Sequence, residues 1–316
     1  MKEKDISILG TIVFDIFVTN HVNYPRLGEA VSIDRFHYLT GGCGANPAIV
    51  LRKMGTNVLL IGAVGDDFAG DFILNYLKQN SVDIKLIKKS TKFPTSSSIL
   101  LINKSGERSY FHSVGASKEI SITEKEIKEI KKSKIFHIGG VNLLPSLGAN
   151  KIASLLKKVK SYNVITSVDL AWDVEGKWME RIESALPFID ILMGNKKEIQ
   201  ALTGSKGISG AVKKLHKKGC KIVVIKAGES GSFVSKEDFL IKVEGKKVKV
   251  KDSTGAGDAF AAGLLYGILN GFSLVDSAKI ANSLGAIAVT EIGSTSAFKS
   301  KEQIFQFVRK NYNLEL

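Results

Sequence analysis

Two cysteines, five prolines and five histidines are few for 316 residues, and each shortage closes off a class of protein. Cys43 and Cys220 stand far apart without a CxxC spacing or a histidine cluster, which excludes a disulfide framework and a structural zinc site and fits a reducing cytoplasm. The prolines are dispersed and no Pro/Gly-rich linker interrupts the chain, so residues 1–316 are expected to form one domain. No run reaches the roughly 18 uninterrupted apolar residues of a membrane span, so a soluble protein is expected. Lys2 and Lys4 ahead of the apolar run from Ile6 to Val18 imitate a secretory leader. Asp15 interrupts that run and no small-residue cleavage pattern follows, so a buried first strand is the better expectation.

Acidic residues are also in short supply, 31 against 45 Lys and Arg, for a formal charge of +14. Such an excess raises nucleic acid as a partner. The lysines, however, are scattered over presumptive helix faces (125–134, 157–160, 213–221) and a 242–251 stretch, with no nucleic-acid module among them. Solvated faces account for them, and neither nucleic acid nor membrane is expected as a partner.

What is present is a rhythm. Short β-rich runs alternate with helical patterns: 57–64 then 67–79, 135–138 then 147–160, 164–168 then 175–186. That alternation implies βαβ units around a parallel sheet, an α/β fold. Two stretches, about 16–38 and 93–112, alternate like strands with no helix between them and are expected to form a small separate sheet, a lid.

The usual nucleotide motifs are missing. There is no GxxxxGK[ST], and the two glycine-rich windows fail the dinucleotide fingerprint because Phe260 and Pro47 stand where a small residue is needed. In their place stands Asp252-Ser253-Thr254-Gly255-Ala256-Gly257-Asp258, following a strand-like 247–251 stretch and opening a helical pattern over 259–269. Glycines at a helix N-terminus let backbone N–H groups and the helix dipole meet an anion. Phosphoryl transfer needs that charge neutralisation and a carboxylate to receive a hydroxyl's proton, a place Asp258 can fill. As an isolated motif it is equally well read as a first-turn acid that satisfies the helix dipole.

Together with Gly41-Gly42-Cys43-Gly44-Ala45-Asn46, about two hundred residues upstream, DSTGAGD resembles the paired signatures of the ribokinase-like, or PfkB, carbohydrate kinase family. Gly65-Asp66-Asp67, Asn195-Lys196-Lys197-Glu198, Lys226 to Gly231, and Ala281-Asn282 through Gly293 extend the resemblance in the family's order. It implies a three-layer α/β/α sandwich with a mostly parallel central sheet and a β-sheet lid. It also implies ATP as donor, Mg2+, a stimulating K+, and a sugar acceptor. Asp258 resembles the catalytic base, and Gly255, Ala256 and Gly257 the anion hole. Asp15 resembles the acceptor-hydroxyl ligand, with Gly41, Gly42 and Asn46 as further sugar contacts. Asn195 and Glu198 resemble the pair that orders magnesium, Lys226, Gly228 and Gly231 the nucleotide-binding strand and turn, and Asn282 an adenosine-side contact. Asp252 and Thr254, with backbone oxygens around Ala288, Glu291 and Gly293, resemble a potassium site. A homodimer joined through the lid is expected because lid strands leave exposed edges.

The match departs from ribokinase at Val13, where an Asn is expected two residues before Asp15, and in the missing Glu across 137–145, which argues against ribose. Cys43 stands in place of a Lys and reads as a small packing residue. Trp172 and Trp178 are open to ring stacking or to packing. Three other readings stand beside the sugar kinase. One is a nucleoside kinase in which Phe36, Tyr38, Tyr110 and Phe111 stack a base; the others are a non-catalytic sensor and a dinucleotide oxidoreductase.

Overall fold

The computed structural model describes residues 4–21, 26–33, 35–103 and 108–316. Its strands are β1 (Lys4–Gly10), β2 (Val13–His21), β3 (Phe36–Gly41), β4 (Val58–Gly65), β5 (Asp83–Ser90), β6 (Ser96–Asn103), β7 (Arg108–Ser113), β8 (Ser133–Gly139), β9 (Ile165–Asp169), β10 (Ile191–Asn195), β11 (Ile222–Lys226), β12 (Ser232–Lys236) and β13 (Phe239–Val243). Its α-helices are α1 (Ala45–Lys53), α2 (Phe68–Gln79), α3 (Glu124–Ile130), α4 (Ala149–Lys160), α5 (Met179–Ile182), α6 (Lys196–Thr203), α7 (Ile208–Lys217), α8 (Ala256–Leu269), α9 (Leu274–Ala288) and α10 (Lys301–Tyr312).

Nine strands form one sheet in the order β13-β12-β11-β10-β9-β8-β1-β4-β5, parallel from β11 through β5. Only the β11-β12 and β12-β13 pairs are antiparallel. The apolar runs alternate in period two, and each strand therefore feeds two cores. Ile6, Ile8, Ile135, Met193 and Val224 pack under α1, α2, α8, α9 and α10. Leu9, Phe136, Ile138, Leu192 and Val223 pack under α3, α4, α6 and α7. The result is the α/β/α sandwich expected. The chain leaves β1 in both directions, to β4 and to β8, and this reversal of winding opens a crevice at the carboxyl ends of β1 and β8.

The second sheet, β3-β2-β6-β7, is the lid. It begins earlier than expected, at Val13, because the run from Ile6 to Val18 is two strands rather than one. The chain leaves the large sheet at Gly10 and joins the small one at Val13, and the Thr11 carbonyl accepts from Gly44 N (3.0 Å) instead of continuing a ladder. Asp15 therefore lies inside β2, on the small sheet rather than on the first strand of the large one. The parts of the expected lid at 22–25, 34 and 104–107 lie outside the described residues.

Two further expectations are corrected. The helical pattern over 175–186 yields only the single turn of α5 and a 3-10 stretch at Glu183–Phe188, broken by Trp178 at φ 34° and by Pro187. The 247–251 stretch pairs with no strand; Lys251 N instead donates to Val289 O at 2.8 Å.

Candidate active site

Asp252 organises the DSTGAGD turn. Its Oδ1 accepts from the Thr254 amide (2.9 Å) and hydroxyl (2.7 Å), and its Oδ2 accepts from Gly293 N at 2.9 Å. The buried carboxylate thus ties the turn to the loop after α9. Gly255 follows at φ +76°, the left-handed conformation that glycine adopts without a side-chain penalty, and caps α8. The first amides of α8 have no partner within the helix and point out of its N-terminus. Asp258 sits in this first turn, and Asn46 Nδ2 donates to its Oδ2 at 2.7 Å across 212 residues of chain.

The GGCGAN segment arrives on the other side of Asp258. Asn46 N donates to Gly42 O at 2.9 Å, and Cys43 N to Thr11 Oγ1 at 3.1 Å, which seats the loop on the end of β1. Asn46 is in the second position of α1, whose cap is Gly44, and its side chain goes to Asp258 rather than capping the helix. Asp15 is buried on β2, and its carboxylate lies on Gly41 so closely that a Cβ there would be 1.8 Å from Oδ2. Ser98 and His112 are in register with Asp15 across β6 and β7, and they hydrogen-bond each other at 3.0 Å. Cys43 packs where Gly140 lacks a side chain; burial, with the neighbouring Asp258 and Asp169 carboxylates, pushes its thiol well up, so it stays protonated.

On the donor side, Asn195 and Glu198 close a capping box at the start of α6, Asn195 N donating to Glu198 Oε2 at 2.7 Å and Glu198 N to Asn195 Oδ1 at 2.9 Å. Gly231 packs on the backbone of Val243 to Gly245, and Asn282 Nδ2 donates to the carbonyls of Val243 (3.1 Å) and Glu244 (3.4 Å). Gly231 and Asn282 therefore converge on the 243–245 backbone, while Gly228 is joined to Gly231 through the Gly231 N to Gly228 O hydrogen bond at 3.0 Å. Ala288 is buried at the end of α9. The Glu291 side chain turns outward to Lys251 (2.9 Å), so only its backbone remains for the loop site. The loop also reaches the lid: a Cβ at Gly293 would lie 2.2 Å from Leu39 Cδ1.

One group went unread in the sequence. Asp169 ends β9, and both its oxygens accept from Lys226 Nζ at the end of β11, at 2.7 and 2.8 Å. Burial pushes the Asp169 carboxyl up to about 6 against the pull of Lys226. Burial opposes the Lys226 charge as well, but Asp169, Glu198 and Asp258 outweigh it and hold the ammonium above its ordinary range. Charged residues closing two otherwise uncharged parallel strands, Asp169 on β9 and Lys226 on β11, were the available signal.

The profile of the pfkB family of carbohydrate kinases matches residues 4–301. The chain belongs to that family. As a pfkB kinase it is an ATP-dependent sugar kinase in class. It is similar to the protein named Probable fructokinase-7 of Arabidopsis thaliana, 30% identical over 321 residues that cover 96% of this chain and 92% of the relative. It is also similar to the 5-dehydro-2-deoxygluconokinase of Clostridium tetani, 27% identical, covering 98% of this chain and 94% of that one. The structure of Arabidopsis thaliana ribokinase complexed with ribose and ATP superposes with a TM-score of 0.84 at 23% identity, over 97% of this chain and 99% of that one. That likeness establishes the ribokinase-like fold. Among the described residues no helix is long and apolar enough to cross a membrane.

Proposed function

We propose that this pfkB kinase transfers the γ-phosphoryl group of ATP to a sugar hydroxyl, with Asp258 as the base. The observation that carries the reading is the 2.7 Å hydrogen bond from Asn46 to Asp258 at the N-terminus of α8. It joins the two glycine-rich segments into one centre, with a carboxylate in the first turn of α8, where the helix amides lack intrahelical partners. The acceptor lies between Asp15 and Asp258, its hydroxyls on the carboxylate of Asp15 and the backbone of Gly41 and Gly42. Asp258 takes the proton of the reacting hydroxyl while the amides of Gly255, Ala256 and Gly257 meet the charge on the transferring phosphoryl group. The nucleotide lies towards Lys226, Gly228, Gly231 and Asn282, and lid closure keeps water out.

Magnesium fits this arrangement. A magnesium ion would be held mainly by phosphate oxygens and water with one or two protein carboxylates rather than a cage, and Glu198 would supply that carboxylate, neutralising charge on the phosphates. Among the described residues no group of three or more His, Cys, Asp or Glu is gathered. Asp252, Thr254 and the carbonyls of the 288–293 loop supply the hard oxygens of a potassium site, adjoining the anion hole through the Gly293 amide.

A sugar is favoured over a nucleoside by the lid's two faces. Phe36, Tyr38 and Phe111 share the face of Ile16 and Ile99, opposite Asp15, which leaves only Tyr110 of the four aromatics on the acceptor side.

The test is product formation from ATP and a panel of ketoses, aldoses, sugar acids, phosphosugars and nucleosides. It is run with magnesium in potassium and again in a large organic cation. Asp258→Asn is expected to bind both substrates and to lose about 10²–10⁴ in kcat. Near-normal turnover would remove Asp258 as the base, nucleoside-only turnover would overturn the sugar reading, and equal rates in the two cations would remove the potassium site.

A further inference from the structure

The pair formed by Asp169 and Lys226 is unusual in where it lies. Both side chains are nearly withdrawn from water, 4% and 13% exposed, at the carboxyl ends of β9 and β11. A buried ion pair forfeits the hydration of two charges and is often no more stable than an apolar pair of the same volume. Stability alone is therefore a weak reason for this one. Its surroundings give another: Nζ of Lys226 lies 3.2 Å from where a Cβ on Gly257 would be, directly against the N-terminus of α8. The absent side chain leaves the ammonium open to whatever those amides bind. An ammonium has three N–H groups, and the two Asp169 oxygens occupy at most two of them.

We infer that Asp169 is a positioning residue for phosphoryl transfer: it anchors the Lys226 ammonium at the mouth of the anion hole, where its remaining N–H meets the γ-phosphoryl group. The inference rests on the assignment of that hole to the transferring group. It goes further in naming Asp169, which touches neither substrate, as what fixes the cation's place. A lysine on four rotatable bonds is a poor fixed charge by itself. A carboxylate holding it through both oxygens makes it pre-organised, and a charge in place before the reaction stabilises the transition state without reorganisation.

The experiment compares wild type, Asp169→Asn, Lys226→Met and the double variant Asp169→Leu/Lys226→Met, which removes both charges and leaves neither buried unpaired. Two readouts are taken: kcat with KM for each substrate, and the Kd of ADP and of the non-hydrolysable analogue AMPPNP, each with magnesium. Lys226→Met is expected to lose about 10²–10³ in kcat. Asp169→Asn should lose a comparable factor while acceptor KM stays within about threefold. The double variant should be no slower than Lys226→Met, because Asp169 acts only through the lysine. AMPPNP should weaken about tenfold in all variants, with ADP nearly unchanged, since only the former carries the third phosphate. Multiplicative losses in the double variant, or equal weakening of both nucleotides, would mean the pair is structural and overturn the inference. The nucleotide readout needs no acceptor. Wild type that binds AMPPNP but turns over no sugar defeats the proposed function alone, whereas wild type that binds neither nucleotide defeats both.

Discussion

His137 shows how a residue with no place in any motif acquires a property from position. It lies fully buried in the middle of β8, its Nδ1 at 3.1 Å from Ser167 Oγ and its Nε2 without a partner among the described residues. Burial, with a smaller push from Lys226, lowers its pKa from 6.5 to about 3. In the unfolded chain the ring takes up a proton below about 6.5, whereas in the folded chain it stays neutral to about 3. Across that window unfolding is coupled to proton uptake, so the folded state loses about 1.4 kcal/mol per pH unit from this group as pH falls. His137→Gln should therefore flatten the acid slope of the urea unfolding free energy between pH 6.5 and 5 by about 1 kcal/mol per unit. Parallel slopes for the two proteins would show that His137 titrates as it does in water.

At the scale of the element, the GGCGAN and DSTGAGD turns were legible as glycine-rich turns that open helices, because glycine and a helix start announce themselves locally, while the roles expected of them came from the family resemblance. Their contacts were not. Gly41 ends β3 and clears room for a carboxylate on the neighbouring strand, where a Cβ would stand 1.8 Å from Asp15 Oδ2. Gly41→Ala is expected to displace Asp15 and raise the acceptor KM about tenfold or more, with ATP KM little changed. A variant with both constants at the wild-type value would mean Asp15 does not hold the acceptor. In the same way, the Asn195 and Glu198 spacing was read for magnesium, and the fold adds that the two side chains also cap α6. Such a cap is worth on the order of 1 kcal/mol, so Glu198 serves the helix as well as any ion it meets.

At the scale of the molecule, the lid's face opposite Asp15 carries Tyr38, Ile16, Ile99 and Phe111 in register across all four strands. Three of them are substantially exposed, Tyr38 51%, Ile99 42% and Phe111 67%. A row of this kind on a small sheet supports the homodimer expected through the lid, since a second copy buries the same row against itself. Sedimentation at micromolar concentration should give a dimer, and Ile99→Lys/Phe111→Lys a monomer with the core fold intact. A monomeric wild type at every concentration would remove the proposal.

The sequence by itself determined the class of fold through its local periodicity, and the class of chemistry through two motifs about two hundred residues apart whose pairing matches a kinase family. Period-two and helical runs dictate a layered α/β chain, whereas the DSTGAGD turn taken alone is equally well read as a helix-capping acid and gains its meaning from being paired with GGCGAN. Only the tertiary structure decided which of those local pieces meet. It split Ile6 to Val18 between two sheets, brought Asn46 onto Asp258, and closed Asp169 on Lys226 across an intervening strand. It also turned three of the lid's aromatics to the face opposite Asp15. Strand order and the face a side chain takes depend on pairings between residues far apart in the chain, and no short window of sequence carries them.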